Sequence, residues 1–158
     1  MKIIVSPYSS KINIKDHNPK DFPFWNEVVQ GIKKRGHEVL QTGRSGEEPI
    51  LNVNSIHFDL QMRDLLELLR CCRTWISVDN FFPHFAHYYK KSGIVIFGPS
   101  DPEIFGYPEN LNILRNRKFL RPDQFGLWSD LEYSKDRFPK SEFILSQFDN
   151  YLKILGKE

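Results

Sequence analysis

Residues 74–100, TWISVDNFFPHFAHYYKKSGIVIFGPS, constrain the fold of this chain more than any other stretch. A short apolar run, Trp75, Ile76, Ser77 and Val78, stops at Asp79 and Asn80. A helical pattern starting at Pro83 carries His84, Ala86 and Tyr89. Gly93 resets the chain, and a second apolar run, Ile94 to Phe97, ends on Gly98-Pro99-Ser100. Short apolar runs bounded by turn residues read as buried strands. Joined by a helix they are parallel, and ligands of open parallel sheets bind beyond the carboxyl ends of the strands. Both turns therefore fall where a site belongs.

The flanking sequence repeats this alternation. Lys2 to Ser6 reads as a first buried strand, ended by Pro7. Residues 8–20 are polar and turn-rich (Ser9, Ser10, Lys11, Asn13, Lys15, Asp16, Asn18, Pro19), a loop of about a dozen residues, a length that is often functional. Asp21 has the character of an N-cap with Pro23 in the first turn. Trp25, Val28, Val29 and Ile32 then share one helical face, and Gly36 suits the position after the helix. His37 to Gln41 is a second strand, Thr42 to Glu48 a Gly-containing turn, and Ile50 to Val53 a short third strand. Met62, Leu65, Leu66, Leu69 and Cys72 predict another helix, with Asp59 as its cap. Residues 101–139 hold four prolines and little periodicity, so loops and short helices are expected. Ser141 is expected to cap a terminal helix carrying Ile144, Phe148, Tyr151, Leu152 and Leu155. The order predicts an α/β fold, one Rossmann-like domain over residues 1–158. Its parallel sheet of about five or six strands has helices on both faces.

At 40% hydrophobic and 14% aromatic residues, the chain can bury a real core. A net charge of +2 gives no argument for nucleic acid or an anionic membrane surface. No run approaches the roughly 18 apolar residues of a membrane span, and the N-terminus has too few for a signal-peptide core. Cys71 and Cys72 are adjacent and are the only cysteines, so they neither staple the fold nor offer a metal-ligand spacing. A soluble protein of a reducing compartment, the cytoplasm, is the expectation.

Several residues could carry chemistry, each against a plainer alternative. Asp79, Asn80 and His84 could surround a ligand whose phosphate meets the helix N-terminus; equally, Asp79 or Asn80 could simply cap the helix. His84 and His87 share a helical face with Asp79 nearby, but no third metal ligand is fixed, and no metal is expected. Gly98-Pro99-Ser100 could bring backbone close to a base or phosphate, or be an ordinary turn. The Gly43–Gly46 turn lacks both the Walker and the dinucleotide glycine spacings. Lys11 and Lys20 flank the long loop, within reach of a phosphate. Arg115, Arg117, Lys118 and Arg121 form either an anion patch or a solvated face. No nucleophile–base arrangement is legible.

Residues 62–99 resemble the C-terminal, nucleotide-sugar-binding half-domain of the heptosyltransferase-like glycosyltransferases of the GT-B fold. That family has a strand ending D-S-G-x-x-H-x-A, a helix, then a strand ending F-G-P-T. Ile76 to Asn80, His84, Ala86 and Phe97 to Ser100 stand in the corresponding places. More loosely, Lys20 to Pro23 resembles the family's K-x-W-P helix start, and Gly36 through Gly43 its G-x-x-V-v-l-x-G. Glu47 or Glu48 falls at the acidic position that follows. The resemblance implies a donor site of Ser9 or Ser10, Lys20, Gly43, Asp79, Asn80, His84 and Gly98 for a nucleoside diphosphate sugar, with no other cofactor. Phe81 stands where the family has Gly, implying an altered approach of phosphate to that backbone. The family's general base lies in its other half. The resemblance therefore implies a glycosyltransferase-like half-domain completed by an acceptor-domain subunit or a homodimer. The alternative is a non-catalytic nucleotide- or protein-binding module, with Phe81, Phe82, Phe85 and Tyr88 as its adhesive surface.

Overall fold

A computed structural model describes residues 1–12 and 17–156. Asn13, Lys15 and Asp16 of the long first loop lie outside the described residues. The six strands are β1 (Lys2–Ser6), β2 (Glu38–Gly43), β3 (Ser55–Phe58), β4 (Thr74–Val78), β5 (Ile94–Phe97) and β6 (Leu111–Leu114). The helices are α1 (Trp25–Lys34), α2 (Met62–Cys71), α3 (Phe81–Tyr88), α4 (Pro102–Phe105) and α5 (Ser141–Leu155). All strands pair in parallel in the order β3-β2-β1-β4-β5-β6. This is the doubly wound order, in which the chain reverses direction between β1 and β4 and leaves a crevice at their carboxyl ends.

Strand residues alternate between two cores, as the pleat requires. Ile3, Val5, Ile76, Val78, Ile94 and Ile96 face α1 and α5, whose Trp25, Val28, Val29, Ile32, Ile144 and Phe148 close over them. Ile4, Trp75, Val95 and Phe97 face α2 and α3, against Leu65, Leu69, Phe82, Phe85 and Ala86. Burial of each large side chain is worth about 1.5–3 kcal/mol. α1 and α5 are neighbours because Gly31 leaves room for Leu145, and Arg35 grips the Asp149 carboxylate through two hydrogen bonds of 2.7 and 2.8 Å. Gly36 has φ +79°, the left-handed turn that ends α1.

Five local expectations are corrected. Asp21 does not cap α1, whose N-cap is Phe24. Its carboxylate instead accepts the Ser9 and Asn18 N–H groups. Ile50 to Val53 is not a strand: side chains take its backbone, with Ile50 N–H donating to Gln41 Oε1 and Leu51 N–H to Asn26 Oδ1. The third strand is β3, five residues later and half-exposed at the sheet edge. Asp59 does not cap α2; it has φ +54° and accepts from Ser45. Ser141 lies inside α5, whose N-cap is Lys140. Finally, the irregular segment 101–139 contains β6, which pairs with β5 from Ile94–Leu111 to Phe97–Leu114. No helix among the described residues is long and apolar enough to cross a membrane.

Candidate functional site

The carboxyl ends of β1, β2 and β4 surround a cavity of about 360 Å³. Ser6, Tyr8, Ser9 and Ser10 line it after β1, Thr42, Gly43, Arg44 and Glu47 after β2, and Asn80, Phe81 and Phe82 after β4. Asn80 settles the capping alternative left open by the sequence. Its Oδ1 accepts the Phe82 N–H at 2.8 Å and caps α3, while its amide donates to Ser6 O, Ser6 Oγ and Tyr8 O at 3.0–3.2 Å. One side chain thus both starts the helix and ties β4 to β1 across the crevice.

Asp79 lies just beyond and is buried. Its backbone carbonyl accepts from Ser9 Oγ at 3.0 Å, and its carboxylate pairs with Lys20 Nζ at 3.4 Å. Ser9, Lys20, Asp79 and Asn80 are therefore brought together, with Ser10 exposed at the rim. Lys20 also lies 5.1 Å from the centre of the Trp128 ring.

Gly43 is shaped by Glu47. A Cβ on Gly43 would collide with the Glu47 carboxylate, whose Oε2 is buried without a hydrogen-bond partner. Burial and the nearby negative charge of Asp21 push the Glu47 carboxyl up, against the pull of the Arg44 N–H and the Arg44 and Lys11 charges. A second cavity, about 440 Å³, opens on the other side of Tyr8 and Ser9 and is walled by Asp21, Glu47 and Glu48. Burial pushes Asp21 up to about 6 despite its two backbone donors. Burial together with Glu48, Asp21 and Glu47 pushes Tyr8 up to about 12. Asp21, Glu47 and Glu48 share this quarter with Arg44 and Lys11, whereas Lys20 lies on the Asp79 side.

His84 is placed apart from that group. It is exposed on α3, and its Nδ1 meets the Tyr107 hydroxyl at 2.8 Å. His87 stacks on the same Tyr107 ring at 3.7 Å and pairs with Glu109. Gly98 is buried with the Phe138 ring against it, 2.5 Å from where a Cβ would sit. The basic cluster does not assemble. Arg117 is paired with Asp101 and Glu103, Arg115 and Lys118 lie over Phe119, and Arg121 lies over Trp128. Of the four aromatics on α3, Phe82 and Phe85 are core, whereas Phe81 and Tyr88 are 54% and 77% exposed. No group of three metal-binding side chains occurs among the described residues.

Sequence reasoning did not single out Ser6, Tyr8, Thr42 or Trp128. The first three are strand-end residues whose role follows only from strand order. Trp128 comes from a segment without periodicity.

No family model matches the chain, and no curated protein matches it. Solved structures do. Over 99% of this chain the fold matches 47% of the Escherichia coli ADP-heptose LPS heptosyltransferase II, with a TM-score of 0.66 and 16% identity. E. coli heptosyltransferase WaaC, solved with ADP, matches 70% of this chain over 37% of its own, with a TM-score of 0.56 and 15% identity. The dodecameric iron-containing heptosyltransferase TibC of enterotoxigenic E. coli, solved with ADP-D-beta-D-heptose, matches 73% of this chain over 31% of its own. Its TM-score is 0.59 and its identity 16%. This chain spans less than half the length of each of these enzymes. At such identities the likeness is one of fold: a Rossmann-like α/β unit of the kind found in heptosyltransferases, as the sequence resemblance implied.

Proposed function

We propose that this chain binds the nucleoside diphosphate part of a nucleotide sugar at the β1–β2–β4 strand ends and serves as the donor half of a glycosyltransferase. The observation that carries the reading is the cavity at the chain-reversal point, with the partly buried Lys20–Asp79 pair joined to its lining through Ser9 and Asn80. Heptosyltransferases of the same fold solved with ADP and with ADP-heptose add to it. In this reading the ribose and base occupy the cavity, where Glu47 Oε2 accepts from a ligand hydroxyl and gains the partner it lacks. The diphosphate lies toward Lys20, with Ser9 and Ser10 beside it. Asp79 holds Lys20 in place. His84, bonded to Tyr107 at the outer end of α3, is left for the sugar or for a partner.

The transfer itself is a displacement at the anomeric carbon. An acceptor hydroxyl oxygen bonds to that carbon, the bond to the diphosphate oxygen breaks, and the acceptor proton passes to a base. Lys20 stabilises the negative charge that grows on the leaving diphosphate. The base comes from an acceptor-binding half, supplied by another subunit or a second copy. Phe81, exposed at the mouth of the cavity, narrows the approach to the α3 N-terminus. Isothermal calorimetry against nucleoside diphosphates and their sugars tests the reading: binding of one that Lys20→Ala weakens supports it, and no binding by the folded protein refutes it.

A further inference from the structure

We propose that Arg121 is a second phosphate-binding cation, set beside Lys20 around Trp128 and reserved for the diphosphate of the ligand. The inference rests on the donor-half reading and adds a residue to it. Arg121 is only 8% exposed, and its Nη1 is buried with no hydrogen-bond partner. Among the described residues no carboxylate pairs with it. Asp123 is in the neighbourhood, with one oxygen and Arg121 Nη2 both close to where a Cβ on Gly126 would sit, but the two make no ion pair. A buried guanidinium with an unpartnered N–H and no ion pair is costly, and an anion would relieve that cost.

The surroundings fix this cation at the strand ends. Arg121 N–H donates to Pro99 O, and Gln124 donates to both Pro99 O and Arg121 O while accepting the Asp101 N–H, all at 2.8–3.0 Å. The residue is thus stapled to the turn after β5. In that turn Ser100 Oγ is likewise buried without a partner. The Arg121 guanidinium lies 4.2 Å from the Trp128 ring centre and Lys20 Nζ 5.1 Å from the same centre. One ring therefore spaces the two cations. Lys20 is already balanced by Asp79, and Arg121 supplies the uncompensated charge. A guanidinium also offers a planar fork of donors, which suits phosphate oxygens.

Inorganic pyrophosphate is the probe, because it has no base or sugar. Trp25 and Trp75 are buried in the core, so tryptophan fluorescence should report on Trp128. Pyrophosphate is expected to change the emission of the wild type and not that of Trp128→Phe. Arg121→Gln should weaken pyrophosphate and nucleoside diphosphate binding at least tenfold, leave the matching nucleoside unchanged, and Arg121→Lys should restore part of the loss. The proposal is overturned if folded Arg121→Gln, verified by a cooperative melt, binds pyrophosphate within twofold of wild type, or if the wild type does not bind it. Arg121-dependent pyrophosphate binding without affinity for any nucleoside diphosphate would keep the anion site and sink the donor reading. A nucleoside diphosphate that binds wild type and Arg121→Gln alike would do the reverse.

Discussion

Asn80 shows how much one short side chain can decide. Its four polar contacts cap α3 and join β4 to β1, so the site and the fold meet in one residue. Asn80→Ala removes the cap and strands three acceptors, and should destabilise the protein by about 2–4 kcal/mol in a denaturant titration. Asn80→Asp keeps the cap and loses only the amide donors, so it should fall between wild type and Ala. Asp21 offers a pH readout. Its carboxyl is raised from 3.8 to about 6, chiefly by burial. The folded state therefore holds a proton that the unfolded chain has given up, and stability from this group is full below pH 3.8 and is lost as pH rises through 6. Asp21→Asn keeps an acceptor and removes the titration. Its stability relative to wild type should rise across that window; a constant difference would show that Asp21 does not titrate there. Phe81→Gly should cost about 0.5–1 kcal/mol of helix stability and raise affinity for a nucleoside diphosphate. Unchanged affinity would mean that Phe81 does not narrow the approach.

At the scale of elements, what could be read in advance follows the strength of the period. The apolar runs of β1, β4 and β5 and the faces of α1, α2 and α5 are visible in the sequence because both sides of the sheet are covered. The edges were not legible. β3 reads Ser-Ile-His-Phe and is half-exposed, so it lacks a clean alternation, while Ile50 imitates a strand residue by filling the core from a loop. β6 has only four residues and follows Pro108 and Asn110, which mask it as a turn. Helix caps were the weakest readings, since Asp21, Asp59 and Ser141 have capping chemistry and spend it elsewhere or not at all. The gathering of residues at the strand ends was legible at Ser9, Gly43, Asp79 and Asn80. The neighbours supplied by residues 120–130, such as Trp128 beside Lys20, were not. Gly98 separates packing from binding. Gly98→Ala would press a Cβ into the buried Phe138 ring. It should cost about 1–3 kcal/mol of stability and leave nucleotide affinity of the folded fraction unchanged. A selective loss of affinity would return Gly98 to the ligand site.

As a whole molecule, the chain is a six-stranded parallel sheet in the doubly wound order, with its cavity at the reversal between β1 and β4. Glu47, Asp59 and Arg44 line that cavity, while Lys20 and Arg121 lie outside its lining, beside Asp79 and Trp128. In the proposed reading a nucleotide lies with its sugar hydroxyls toward Glu47 and its phosphates toward Trp128. The central claim is that a nucleoside diphosphate binds there. Calorimetry of the intact chain against a panel of nucleoside diphosphates and their sugars measures it directly. The account predicts one-to-one binding of at least one of them, weakened about tenfold or more by Lys20→Ala, as expected for loss of a charge-assisted phosphate contact. A folded protein that binds none of them, or binds one with no dependence on Lys20, would contradict it.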